Sequence, residues 1–364
     1  MPQKPNQKLD QTRLEEVLNA HAPSLGLETY AVTKLQGDAS TRIYYRVKGP
    51  GRSLIAMVMP LNQPSSIAEE ITKVDGHVVG ELPYINVQRF LETHINVPKI
   101  YINDTQNNIL LIEDFGDQLL LDLLSGANIK QQEALYRAAL TELKKIVTLS
   151  KPKDECIVFH RKYDADLYNW EFLHFVEYAI DHALNGKVSS SDRTSILESL
   201  YKLSTTYTSW DQKVTHRDFH SRNLMILSNT DTPKVGIIDF QDALLAPIFY
   251  DLCSLLRDSY FTIDRNLQDK LLESYRQGLD QGELKMTSSF DEFRYAFDLM
   301  GVQRNMKAAG RFFYIDIVRH NSSYLKDVPR TLTYIKNTLL DYPELKSLKA
   351  KLLPLLDDIT EKSA

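Results

Sequence analysis

"VTHRDFHSRNLMI", residues 214–226, gathers His216, Arg217, Asp218, His220, Arg222 and Asn223 into eight residues with apolar residues on either side. Leu224, Met225 and Ile226 suit a short buried strand that anchors a backbone, whereas the middle carries too many charges to enter a core unpaired. A loop fixed at both ends and holding several convertible polar groups is a common way to build a site. A second apolar run, "VGII", leads into Asp239. Asp218, Asn223 and Asp239 all offer oxygen atoms, the hard donors that Mg²⁺ prefers, and no imidazole–thiolate set competes with them.

The rest of the chain bounds what such a site can serve. Its 364 residues are 43% hydrophobic and 25% charged, ordinary globular composition with enough length for two lobes. The net charge of −5 gives no electrostatic argument for nucleic acid or an anionic membrane surface, although a local basic pocket is compatible with it. Cys156 and Cys253, with no metal-spaced partners, read as reduced thiols of a cytosolic protein. No stretch approaches the ~20 apolar residues of a membrane span, so a soluble cytoplasmic chain is expected, in which "NSS" at 321–323 carries no glycan.

Texture changes along the chain. "TRLEEVLNAH" begins an amphipathic helix, and "IYYRVKGPGRSLIAMVMP" reads as a hairpin of Ile43–Val47 and Leu54–Met59 about the turn signal "KGPG". "INVQRFLETHINVPKIY" reads as a helix ending before Pro98, and "NNILLIEDFGD" as a buried strand running into a polar turn. After Gly116 the helical period dominates, as in Leu135, Ala139, Leu143 and Ile146 on one face. The abundance of Tyr and Phe over 293–314 reads as helix packing rather than a stacking platform. The expected fold is α+β and bilobal, with residues 1–113 as a small antiparallel-sheet lobe and residues 114–364 as a larger helical lobe.

If Asn223 and Asp239 hold a metal that bridges phosphates, Asp218 is left to accept a proton from a hydroxyl, the division of labour in kinase phosphoryl transfer. The order resembles the protein-kinase signature H-R-D-x-x-x-x-N followed by D-F-G, but the second motif here is Asp239-Phe240-Gln241 and no A-P-E segment follows. That favours kinase-like small-molecule phosphotransferases over regulated protein kinases. "HRDFHSRNLM", "IIDFQDALLAPIFYDLCSLLRDSY" and "GVQRNMKAAGRF" resemble the aminoglycoside-phosphotransferase superfamily, and within it the bacterial anomeric N-acetylmuramate/N-acetylglucosamine kinases of cell-wall recycling. The resemblance runs from about residue 37 to about residue 330.

It implies a protein-kinase-like fold, with residues 1–113 as the nucleotide-binding lobe and residues 114–364 carrying the catalytic loop and substrate pocket, ATP and Mg²⁺ as cofactors, and a small-molecule acceptor, an amino sugar. Asp218 would be the catalytic base, Asn223 and Asp239 the metal ligands, Asp251 the buried carboxylate that braces the loop, and His216 a supporting group. Backbone groups around Glu113 and Phe115 would meet the adenine edge. The strand that should carry a phosphate-pairing lysine reads "LIAMVMP" and has none. Arg42 and Arg46 are candidate replacements, since guanidinium grips phosphate oxygens bidentately, though for Arg46 a solvated strand face is the preferred reading. Gly37, Ser40 and Thr41 in "GDAST" would cover the phosphates, where an ordinary surface turn is an equal reading. Arg257, Asp258 and Arg304 become candidate sugar-pocket residues only through the resemblance; such charges on helices usually face water or pair with each other. Two rival readings stand beside the sugar kinase: a kinase for an aminoglycoside, choline-like or homoserine-like acceptor, and a non-catalytic nucleotide-binding module.

Overall fold

The computed structural model describes residues 7–35, 42–61, 81–279 and 289–363. The chain divides into two compact units, residues 1–66 with 96–117, and residues 67–95 with 118–364.

In the first unit, β1 (Ala31–Lys34), β2 (Ile43–Gly49), β3 (Arg52–Val58), β4 (Ile100–Asp104) and β5 (Ile109–Glu113) form one antiparallel sheet in the order β1-β2-β3-β5-β4. The hairpin expected from "KGPG" is there: Gly49 faces Arg52, and Pro50–Gly51 turns the chain, with Gly51 at φ 88° where a side chain would be strained. Helix α1 (Gln7–His21) lays Leu14, Val17 and Leu18, spaced i, i+3 and i+4, on Val47, Leu54, Ala56 and Ile109 of the sheet. Arg13 fastens the helix by donating to the carbonyls of Met59 and Asn107.

Arg46, a sequence candidate for phosphate, is engaged elsewhere. Its guanidinium donates to Asp114 at 2.7 Å, to Asp117 at 2.5 Å and to the Gly116 carbonyl at 3.0 Å, tying β2 to the segment after β5. Burial raises the Asp114 pKa, but hydrogen bonds from Ser53 and Arg46 outweigh it and hold the group below the usual carboxylate range.

The second unit is mostly helical: α2 (Pro83–Leu91), α3 (Leu120–Gly126), α4 (Ile129–Val147), α5 (Ala165–Phe175), α6 (Ser190–Ser209), α7 (Phe249–Leu256), α8 (Arg265–Gly278), α9 (Phe290–Arg319), α10 (Val328–Asp341) and α11 (Lys346–Lys362). Helix α2 stops at Leu91, earlier than its apolar pattern suggested, and a turn over residues 92–94 follows it. A π-helical turn, Val176–His182, continues α5. Two short antiparallel pairs interrupt the helices, β6 (Gln212–Thr215) with β9 (Leu244–Pro247), and β7 (Leu224–Ser228) with β8 (Lys234–Ile237). The expected α+β class is what the chain adopts. Long helix α9 runs through the core of this unit, with Phe293, Phe297 and Met300 fully buried. At Gly310 it passes so close to α5 that a Cβ would sit 2.8 Å from the Phe175 Cα, so only glycine fits. No helix among the described residues is long and apolar enough to cross a membrane.

Candidate active site

The quoted loop runs from the end of β6 to the start of β7, and both ends are pinned as its apolar flanks require. Leu224 pairs with Ile237, and the ladder extends one step further through the Ile238 N–H donating to the Asn223 carbonyl at 3.0 Å. Asn223 and Asp239 therefore leave the same end of one strand pair, which is how residues sixteen positions apart come to neighbouring backbone sites. The Asn223 Nδ2 donates to the Asp218 carbonyl at 2.9 Å, so its Oδ1 is the atom that would meet a metal. Gln241, where a protein kinase has glycine, donates to Asp239 Oδ1 at 2.9 Å and sets that carboxylate's orientation. An amide oxygen and a carboxylate fit Mg²⁺, which takes few protein ligands and completes its shell with phosphates and water. No cluster of three His, Cys, Asp or Glu that could hold a metal exists among the described residues.

Backbone strain marks the same positions. Arg217 has φ 81° and Asp239 φ 64°, conformations that cost about 1–3 kcal/mol each and persist only where their surroundings impose them, the cost being smaller for Asp, which visits this region more readily. Asp251 imposes the first, its carboxylate accepting the His216 N–H at 2.6 Å and the Arg217 N–H at 3.0 Å. Burial pushes this carboxyl up to about 7, with the two N–H donors pulling the other way. His216 completes the brace: its Nε2 lies 3.0 Å from the Ile238 carbonyl, its Nδ1 accepts the Asp218 N–H at 3.3 Å, and burial lowers it to about 4, so it is neutral. Asp251→Ala would orphan two buried N–H groups, at about 1–3 kcal/mol each, and free a strained residue beside the base. Chemical denaturation should show that loss of stability, with a fall in turnover alongside it.

Asp218 faces a wall of cations. Lys307 Nζ and Arg304 Nη2, from adjacent turns of α9, both lie 3.4 Å from its Oδ1. Burial raises the Asp218 pKa, but Lys307 and Arg304 overcome it and hold the group well below the usual carboxylate range, so it is an anion at any physiological pH. A buried network keeps the cations in place: Lys307 donates to the Tyr250 hydroxyl at 3.0 Å, Arg304 to Ser254 Oγ at 2.7 Å, and Glu171 accepts from Tyr163 and, at 2.6 Å, from Gln303. A candidate metal-ligand pair at one strand end, beside a carboxylate held ionised by fixed cations, is suited to phosphoryl transfer.

Residues 31–286 match the phosphotransferase enzyme family. The chain belongs to that family. Its relatives include N-acetylmuramate/N-acetylglucosamine kinases: one from Neisseria meningitidis is 29% identical over 90% of this chain and 92% of that protein. Another, from Pseudomonas putida, is 28% identical over 87% and 86%. Plasmodium vivax ethanolamine kinase superposes with a TM-score of 0.58 at 13% identity, over 92% of this chain and 89% of that one, a likeness of fold. The chain is thus a kinase-like phosphotransferase of small-molecule type, and ATP with Mg²⁺ is the cofactor pair that membership implies.

The other sequence candidates for this phosphotransferase site fall in different places. Gly37, Ser40 and Thr41 lie outside the described residues, and Arg42 is half-buried just ahead of β2. The Glu113 N–H is engaged by the Lys99 carbonyl at 2.8 Å, and Phe115 follows half-buried. Of the three sugar-pocket candidates, only Arg304 reaches Asp218. Arg257 is 3% exposed, pairs with Asp298, donates to Thr338 at 2.9 Å and lies against the backbone of Gly301. Asp258 is 2% exposed and accepts the Ser221 and Tyr260 N–H groups, a second brace on the catalytic loop. Lys307, Glu171 and Gln303 were not singled out in the sequence. Lys307 had a signal, three residues after Arg304 on the same helical face; Glu171 had none, since its partners come from three other segments.

Proposed function

We propose that this phosphotransferase moves the γ-phosphoryl of ATP to the anomeric hydroxyl of an N-acetylated amino sugar, N-acetylmuramate or N-acetylglucosamine, in cytoplasmic recycling of cell-wall sugars. One observation carries the choice of acceptor: the groups paired directly with the Asp218 carboxylate are the cations Lys307 and Arg304, and the neighbouring Glu171 is itself engaged by Lys307, Tyr163 and Gln303. Choline, ethanolamine and aminoglycosides are cations and would be repelled there, whereas a neutral or anionic sugar is not. The relatives' names point the same way.

The same cations argue for the anomeric position. They weaken Asp218 as a base, which suits a hemiacetal hydroxyl, made more acidic than an ordinary alcohol by its ring oxygen. Asp218 accepts the hydrogen bond of that hydroxyl and orients its oxygen toward the phosphoryl group. Asn223 and Asp239 would hold Mg²⁺, which, when bound, neutralises charge on the phosphates. Lys307 and Arg304 stay fixed by their buried partners, so they need no reorganisation as negative charge shifts during transfer. A non-catalytic nucleotide-binding module would have no use for a base, two metal ligands and a strained, doubly braced loop.

A panel of acceptors with ATP, read by ADP release and then by phosphorus NMR of the product, tests the reading. N-acetylmuramate and N-acetylglucosamine should yield an acid-labile, non-reducing sugar 1-phosphate, with kanamycin and choline inert. A stable 6-phosphate, or turnover confined to cationic acceptors, would overturn it.

A further inference from the structure

Helix α9 carries a third cation on the face that bears Arg304 and Lys307. Arg311 follows at i+7 and i+4 from them, so it sits on the same stripe, farther along the helix. Its situation differs from theirs. Arg304 and Lys307 are held by Asp218, Ser254, Tyr250 and Glu171, whereas Arg311 is exposed and lies over an aromatic face, the guanidinium 4.8 Å from the Tyr314 ring centre. No carboxylate pairs with it among the described residues. It nevertheless lies within the electrostatic reach of Asp218, which is among the groups acting on its charge.

The surface beside Arg311 is aromatic. Trp170 stacks on His174 at 5.4 Å between ring centres, His174 meets Tyr314 at 5.2 Å, and Tyr178 meets Tyr314 edge-on at 5.1 Å. Trp170, His174 and Tyr178 recur every fourth residue. In a continuous α-helix that spacing drifts around the axis, but the π-helical turn beginning at Val176 advances less per residue and keeps the rings in one row. All four rings are half-buried, so part of each is reachable from solvent. Burial and the nearby Arg311 charge lower His174 to about 4, so it is neutral and the row adds no charge.

An unpaired guanidinium over a ring, on the catalytic stripe and next to a row of half-exposed aromatic groups, is suited to one kind of ligand: an apolar sugar-ring face carrying a carboxylate. We propose that Arg311 binds the lactyl carboxylate of N-acetylmuramate, with the Trp170–His174–Tyr314 surface beneath the sugar, and so sets the preference between that sugar and N-acetylglucosamine, which has no carboxylate. This rests on the amino-sugar reading above. Arg311 is held apart from the chemical step by its place beyond Lys307, and its charge stays available because the neighbouring Arg319 and the rings cannot neutralise it.

The test compares kcat/KM for N-acetylmuramate, its methyl ester and N-acetylglucosamine in the unmodified enzyme, Arg311→Gln and Arg311→Lys. In Arg311→Gln the N-acetylmuramate to N-acetylglucosamine ratio should fall about 10–100-fold, mainly through KM, the loss expected for one charge-assisted pair. The methyl ester should show no such fall, and Arg311→Lys should recover part of the ratio. An unchanged ratio, an equal loss for all three sugars, or an unmodified enzyme that uses N-acetylglucosamine but not N-acetylmuramate would overturn the assignment. If the unmodified enzyme turns over none of the three, the amino-sugar reading itself fails, an outcome distinct from failure of Arg311 alone.

Discussion

Asp218→Asn is expected to lower kcat by about 10²–10⁴-fold while nucleotide–Mg²⁺ affinity stays within a few-fold. The substitution is nearly isosteric, and the loop around it is set by other groups: Asp251 holds the His216 and Arg217 N–H groups, and Asp258 holds that of Ser221. Folding should therefore be retained. What disappears is the anion proposed to accept the acceptor's hydroxyl proton. Lys307 and Arg304 keep Tyr250 and Ser254 as partners, and with a negative charge removed from their side the pocket becomes more attractive to phosphate. A binding titration with nucleotide and Mg²⁺ separates the two effects: near-normal turnover would remove Asp218 from the mechanism, and lost nucleotide affinity would show that its role lies in binding.

The cationic setting of Asp218 also explains why the sequence showed the catalytic loop better than the pocket around it. His216, Asp218, Asn223 and Asp239 are set by local rules, a polar loop between two short strands whose register places both metal-ligand candidates at one end, and such rules leave a spacing that can be read directly. The hairpin at Pro50–Gly51 was visible for the same reason, because its turn chemistry is local. Lys307 and Glu171 meet only because α9, α5 and the loop cross in space, and a helical Lys or Glu looks the same in sequence whether it faces water or an active site. Arg46 shows the opposite case, a residue whose phosphate-gripping chemistry was real but is committed to Asp114 and Asp117. Arg257 is a third: only the family resemblance made it a pocket candidate, and the structure buries it against Asp298, Thr338 and the bare backbone at Gly301.

Asp239→Asn is expected to abolish turnover together with Mg²⁺-dependent nucleotide binding, and it is a better probe than Asp239→Ala. Residue 239 has φ 64°, a conformation Asp and Asn tolerate and Ala resists, so alanine would mix backbone strain with loss of a ligand. Asparagine keeps the backbone and can still accept the Gln241 Nε2 hydrogen bond through its amide oxygen. It removes only the negative charge and one oxygen ligand. The loss in apparent Mg²⁺ affinity, measured by titrating the metal at fixed nucleotide, should exceed the ~10–100-fold typical when only a hydrogen bond to a metal ligand is broken. Raising Mg²⁺ should recover part of the rate, because the neighbouring Asn223 oxygen and the phosphates remain as ligands, and this separates Asp239→Asn from Asp218→Asn, where no metal concentration restores an absent base. Unchanged Mg²⁺ dependence in the variant would place the metal elsewhere and leave Asp239 as a strand-end cap held by Gln241.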